Sequence, residues 1–182
     1  RGLGDVYKRQ IEEKIEALFW MGGSLDGHGN VVDPCFDGTA EWNAFWDPEA
    51  VKRVWDSSLE IHMVGLESTE ELPLTRDLCQ HWAELRRYPA IDLIGQGYAL
   101  VLNVAANNVY YLWDVLTTVY CLHPEIAEVE RVRCDVRVDG AAAGRTFRCD
   151  EGREVTLVTH ADPERFYALV DELAMSAAPA LY

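Results

Sequence analysis

The sequence predicts an α/β domain, and three features carry that reading. Helix-type and strand-type hydrophobic periods alternate along the chain. Short apolar runs empty into loops rich in Gly, Asn and Asp, and two Asp-Pro-Glu triplets mark helix starts. Ile15 to Met21 (IEALFWM) is a short apolar run ending in Gly22-Gly23, the pattern of a buried strand opening into a loop. Ser24 to Thr39 is that loop. It is long for a connector, and long loops in compact domains are often functional.

Asp47-Pro48-Glu49 supplies a cap, a first-turn proline and a first-turn acid, so a helix is predicted to about Ser57, with Val51, Val54 and Trp55 on one face. Leu59 to Leu66 alternates as a strand does. Helical periods return over Thr75 to Arg87 and Ile91 to Ala106, and Trp113 to Leu122 reads as a short helix. Val129 to Val138, Arg145 to Cys149 and Val155 to Thr159 read as strands. Asp162-Pro163-Glu164 opens a last helix with Phe166, Leu169, Val170 and Leu173 facing inward. Arg1 to Gln10 has no amphipathic period and reads as a translated adaptor sequence rather than native chain, leaving residues 11–182 as one domain without an internal linker.

Composition narrows the function. The chain has 182 residues, 49% of them hydrophobic, enough for a packed core. Its formal net charge of −15 and scattered arginines argue against nucleic-acid binding. No run approaches the ~18 apolar residues of a membrane span. Five cysteines without a CxxC spacing read as free thiols of a reducing cytosol, so a cytoplasmic location is expected.

Three constellations could carry chemistry. In the first, Met21-Gly22-Gly23 is followed by Gly29-Asn30 and by Ala40-Glu41-Trp42-Asn43. Glu41 and Asn43 lie two positions apart, so an extended segment would aim both to one side, where a carboxylate and an amide can hold vicinal hydroxyls. The alternative makes Asn30 and Asn43 turn residues and Glu41 a solvated charge. The second is Tyr110-Tyr111-Leu112-Trp113-Asp114. Here Asp114 is either a helix N-cap or an oxygen ligand for a cation, beside an indole that could stack on a planar base. The third, Asp26-Gly27-His28-Gly29-Asn30, lacks the spacing and terminal Glu of a calcium loop.

The pieces WMGG, GN and DGTAEWNAFWDPEAVKRVW, continued by IHMVGLESTEELPLT and YYLWDVLTTVYCLHPEI, together resemble the inosine–uridine nucleoside hydrolase family from about Ile11 to Ala174. The resemblance implies an open, mostly parallel sheet with helices on both faces, here without its N-terminal part. It implies that Met21, Asn30, Glu41 and Asn43 hold the ribose, that Asp114 is a calcium ligand, and that Glu41, Asn43 and Asp114 converge on one sugar-and-cation pocket with the Trp113 indole as its lid over the base. Trp113 stands where many pyrimidine-tolerant members have a His. It matches the purine-preferring branch, in which an indole stacks on the leaving base. The implied reaction is hydrolysis of purine ribonucleosides to base and ribose by a calcium-activated water, with a homo-oligomer as the full-length form. The family's DxDxxxDD motif is not found, so this chain alone is expected to be inactive. Two other readings stay open: a hydrolase for pyrimidine or other ribonucleosides, and a non-catalytic nucleoside- or ribose-binding module.

Overall fold

A computed structural model describes residues 10–104 and 109–176. The adaptor-like reading of residues 1–10 therefore falls almost wholly outside the described residues, as does the end of the helix expected to reach Ala106. In chain order the elements are β1 (Ala17–Met21), α1 (Trp42–Trp46), α2 (Pro48–Trp55), β2 (Glu60–Val64), α3 (Leu66–Thr69), α4 (Arg76–Glu84), α5 (Pro89–Val104), α6 (Trp113–Leu122), β3 (Ala127–Val136), β4 (Thr146–Arg148), β5 (Arg153–Ala161) and α7 (Pro163–Ser176). The predicted strands and long helices all form. The very short α1 and α3 are additions, too brief for a hydrophobic period to reveal. The described residues divide into two compact units, one within Arg1–Ser68 and Ala127–His160 and the other within Thr69–Ile126 and Ala161–Tyr182.

The first unit is built on the five-stranded sheet, in the order β1-β2-β5-β3-β4. β1 pairs with β2 and β2 with β5, both parallel, whereas β3 and β4 form an antiparallel pair. The sheet is thus mixed, with the parallel part expected from the sequence at the β1 end. Its core holds Trp55, Ile61, Met63, Val132, Cys134, Val155 and Leu157, with Trp20, Val51 and Val54 packed against them. α2 turns its predicted face onto this core. The Trp55 ring meets Trp20 edge-on at 5.2 Å, and its Nε1 donates to the Cys134 carbonyl at 3.1 Å. A buried indole N–H left unpaired would be costly, so this bond fixes where the helix sits over β3. Lys52 adds a link from α2 to Asp135 at 2.8 Å and also pairs with Asp56 at 2.9 Å, and the two carboxylates, Asp135 first, hold the lysine charged above its ordinary range.

β1 and β2 run flush, Ala17 opposite Glu60 and Met21 opposite Val64. Their exits are stitched: Gly22 N donates to Val64 O at 3.2 Å, and Leu66 N to Gly23 O at 3.1 Å. Gly23 has φ of +77°, and a Cβ there would lie 2.6 Å from the Met63 methyl and 2.7 Å from Thr146 Oγ1. Thr146 in turn accepts from Ser24 N and donates to Ser24 O, each at 2.9 Å, tying the loop to β4.

In the second unit α4 packs on α5, and both α5 and α6 pack on α7. Trp82, Ile91, Leu116, Phe166 and Leu169 are buried. On α7 the inward stripe runs through Phe166, Leu169, Val170 and Ala174, with Leu173 only half-buried. Asp171 joins α7 to α4 by accepting Trp82 Nε1 at 3.0 Å and pairing with His81 Nε2 at 2.6 Å. Among the described residues no helix is long and apolar enough to cross a membrane.

Two outcomes follow from the first unit. Gly23→Ala meets both a disfavoured φ and a steric clash, so denaturant titration should show a loss of about 1–3 kcal/mol. Burial pushes the Cys134 thiol up to about 12, from 9.0 for an exposed thiol. The unfolded chain therefore releases this proton at a lower pH than the folded one. The stability from keeping the thiol neutral is intact below about pH 9 and is lost as pH rises toward 12. Cys134→Ala should flatten that alkaline fall in a pH series of unfolding curves, whereas a slope unchanged from the parent protein would contradict it.

Candidate functional site

Four of the predicted site residues come together in the first unit, at the carboxyl end of β1, where open α/β sheets place their ligands. The organising group is Glu41, only 2% exposed. One carboxylate oxygen, Oε2, accepts from Gly23 N at 2.9 Å and Ala44 N at 3.3 Å, and Oε1 accepts from Asn43 N at 2.9 Å. Glu41 is thus the N-cap of α1 and at the same time the anchor of the double-glycine turn.

This corrects two sequence readings. Glu41 and Asn43 do not share one side of an extended segment, because the chain turns helical at Trp42. Nor is Glu41 a solvated charge. The capping preference of a carboxylate for exposed helix N–H groups overrides the extended reading.

Asn30 and Asn43 close the cluster. Asn30 Oδ1 accepts from Trp42 N at 3.0 Å, satisfying another orphan donor of α1. Asn43 Nδ2 donates to the Met21 carbonyl at 3.2 Å and approaches Met21 Sδ at 3.1 Å. The loop is held further by backbone bonds from Asn30 N and Val31 N to Ala40 O, at 3.1 and 3.2 Å. Met21, Asn30, Glu41 and Asn43 therefore form one hydrogen-bonded cluster. Beside it lie the rings of Phe36, Trp42, Phe45 and Trp46, with edge-to-face contacts of Phe45 to Phe36 at 4.7 Å and to Trp42 at 5.6 Å.

Sequence reasoning missed Glu67. Its Oε1 accepts from Leu25 N, from Asp26 N at 3.2 Å and from Ser24 Oγ at 3.4 Å, so it fixes the loop immediately after Gly23. It lies just past β2 within the IHMVGLESTEELPLT segment, and no local pattern there marks its partners.

Trp113 and Asp114 lie in the second unit. An antiparallel bridge between Pro73 and Tyr111 pins the approach to α6, with Leu74 N donating to Tyr110 O at 2.7 Å and Leu112 N to Leu72 O at 3.0 Å. Trp113 opens the helix. Its half-buried ring meets Tyr110 edge-on at 4.6 Å and Tyr111 at 5.7 Å, and its Nε1 is buried without a hydrogen-bond partner among the described residues. Asp114 is exposed in the first turn, and the N-cap is Leu112, so the capping alternative for Asp114 does not hold. Tyr98 and Tyr110 stand near this carboxylate. Burial, with the charges of Tyr110 and Asp114, pushes the Tyr98 phenol up to about 12.

Among the described residues no group of three or more His, Cys, Asp and Glu side chains could hold a metal. Asp114 alone cannot replace the six to eight oxygens that calcium takes.

Comparison with known proteins agrees with the sequence resemblance. The chain is 27% identical over 134 residues to the inosine-uridine preferring nucleoside hydrolase of Leishmania major, covering 72% of this chain and 41% of that protein. It is 31% identical over 147 residues to a pyrimidine-specific ribonucleoside hydrolase of Escherichia coli, covering 78% of this chain and 44% of that one. Among solved structures, an inosine-uridine preferring nucleoside hydrolase of Bacillus anthracis superposes with a TM-score of 0.84 at 44% identity, over 93% of this chain and 55% of that one. The chain thus spans about half the length of the relatives it matches. The family model for inosine-uridine preferring nucleoside hydrolases matches residues 7–168, and the chain belongs to that family.

Proposed function

We propose that the protein carrying this chain hydrolyses the N-glycosidic bond of ribonucleosides, with purine ribonucleosides preferred. The observation that supports it most is the hydrogen-bonded cluster of Met21, Asn30, Glu41 and Asn43 at the end of β1, on a chain of nucleoside hydrolase family.

The chemistry of the cluster suits a sugar. Leaving-group departure builds positive charge on the ribose ring, and orienting its hydroxyls lowers the barrier without any covalent step. Asn43 offers an amide, whose donor now rests on Met21 O and can exchange that bond for a hydroxyl. Glu41 acts from beneath as a positioning group. Its charge holds Gly23 and the start of α1, so that Asn43 and the Met21 backbone stay in place before substrate arrives. Preorganised polar groups of this kind need no rearrangement as charge develops.

In the second unit Trp113 is assigned to stack on the departing base. Its ring is set by Tyr110 and Tyr111, and an indole face is larger than a His ring and gains most from a two-ring base. Asp114 is assigned as one oxygen ligand of a calcium ion. That ion would supply the activation of water, and its remaining ligands would come from residues beyond those described. A second reading, preference for pyrimidine ribonucleosides, is favoured by the 31% identity to the pyrimidine-specific enzyme of E. coli.

Steady-state hydrolysis of inosine and uridine by the full-length protein decides between these readings. A higher kcat/KM for inosine is expected, with Trp113→Ala narrowing the gap; a uridine preference would refute the purine assignment. Asn43→Ala should lower kcat/KM for both substrates by about 10- to 100-fold, the worth of one oriented hydrogen bond of about 1.5–3 kcal/mol. The 182-residue chain by itself should leave inosine intact with or without added calcium. Turnover clearly above background would show that its own residues suffice.

A further inference from the structure

A cavity lies in the first unit, beside the β3–β4 hairpin. It has a volume of about 380 Å³ and is lined by Leu25, Arg137, Ala142, Arg145, Phe147 and Arg148. Three arginines around one cavity are notable on a chain with a net charge of −15.

The hairpin forces two of them together. Arg137 N donates to Arg145 O, and Gly144 N to Arg137 O, each at 2.8 Å. Gly144 has φ of +88°. This is a glycine-led β-bulge, in which two residues of one strand face one of the other, and it sets Arg145 directly across from Arg137. Like charges directly opposite each other destabilise a sheet. Here two arginines occupy those opposed positions, and Arg145 Nε is buried with no hydrogen-bond partner among the described residues.

Of the nearby carboxylates, Asp135 is held by Lys52, and Glu130 pairs with Arg148, which leaves Arg137 and Arg145 as the pair facing the cavity. Asp37 is bonded to Thr39 through both its backbone N–H and its hydroxyl, and feels Arg145 only as a weaker attraction. A guanidinium pair in this state is built to receive an anion. Two planar forks favour a dianion with several oxygens over a single carboxylate.

We propose that this hairpin cavity binds a phosphomonoester, with Arg137 and Arg145 on the phosphate and Phe147 and Leu25 against the organic part. The volume lies in the range of small-molecule sites, larger than a phosphate group needs. Phe147 supplies an aromatic wall, and Arg137 already lies 5.3 Å from its ring centre, which holds that guanidinium over the cavity. The proposal does not rest on the nucleoside reading, because none of these residues belongs to the Glu41 cluster.

Calorimetric titration of the full-length protein with phenyl phosphate, and separately with inorganic phosphate, tests it. Saturable binding of phenyl phosphate is expected, weakened about tenfold or more by Arg145→Gln and by Arg137→Gln. Arg131→Gln, an exposed arginine paired with Glu60 outside the cavity, should stay within about twofold of the parent. Arg137 is exposed, so its variant reports on the site even if Arg145→Gln folds poorly. Equal affinity for inorganic phosphate would keep the site and assign it to the phosphate group alone. Absence of saturable binding, or binding that survives both arginine changes, would overturn the proposal. So would binding abolished by Asn43→Ala but not by Arg145→Gln, since that places the anion in the nucleoside site.

Discussion

A carboxylate shut away from water must find its compensation in hydrogen bonds, and Glu41 finds it in three backbone N–H groups drawn from two separate segments. Gly23 belongs to the turn after β1, while Asn43 and Ala44 belong to the first turn of α1. Because one side chain serves both, neither segment can move without stranding the charge. The cost of desolvating a carboxylate is several kcal/mol, and charge-assisted bonds of about 1.5–3 kcal/mol each offset it only when all are made. That all-or-none character explains why a loop as long as residues 24–39 can end in a defined arrangement of Met21, Asn30 and Asn43.

Much of the scaffold was legible in the residues. Strand-type patterns located all five strands: an apolar run ending in two glycines for β1, alternation for β2, and short β-branched segments for the others. The Asp-Pro-Glu triplets located the starts of α2 and α7, where Asp47 and Asp162 accept from backbone N–H groups three residues on. Trp113 to Leu122 was read to the residue. What stayed hidden was short. α1 spans a single turn, and nothing in WNAFW distinguishes it from an aromatic loop until Glu41 is seen to cap it.

The candidate site was legible unevenly. The resemblance named Met21, Asn30, Glu41 and Asn43, and the fold gathers them, yet through contacts the spacing argument did not foresee. Glu41 faces the backbone rather than a shared open side. Glu67 was silent because its task is to satisfy N–H groups some forty positions away in sequence, and no local pattern encodes such a partner. The arginine pair of the hairpin was equally silent. Arg137 and Arg145 become neighbours only through the bulge at Gly144, and scattered arginines in a string give no hint of it.

The flush ends of β1 and β2 leave the molecule unequal slack. A single residue, Gly65, lies between Val64 and the first turn of α3, and the Gly22 and Leu66 bonds span that gap. One inserted residue here would push either the strand register or the Glu67 carboxylate out of place. The hairpin tip between Val138 and Ala143 ends no parallel strand and turns through exposed or half-exposed chain. Variation in length across relatives should therefore gather at that tip and spare the rim above β2, as though the two ends of the sheet evolved under different tolerances.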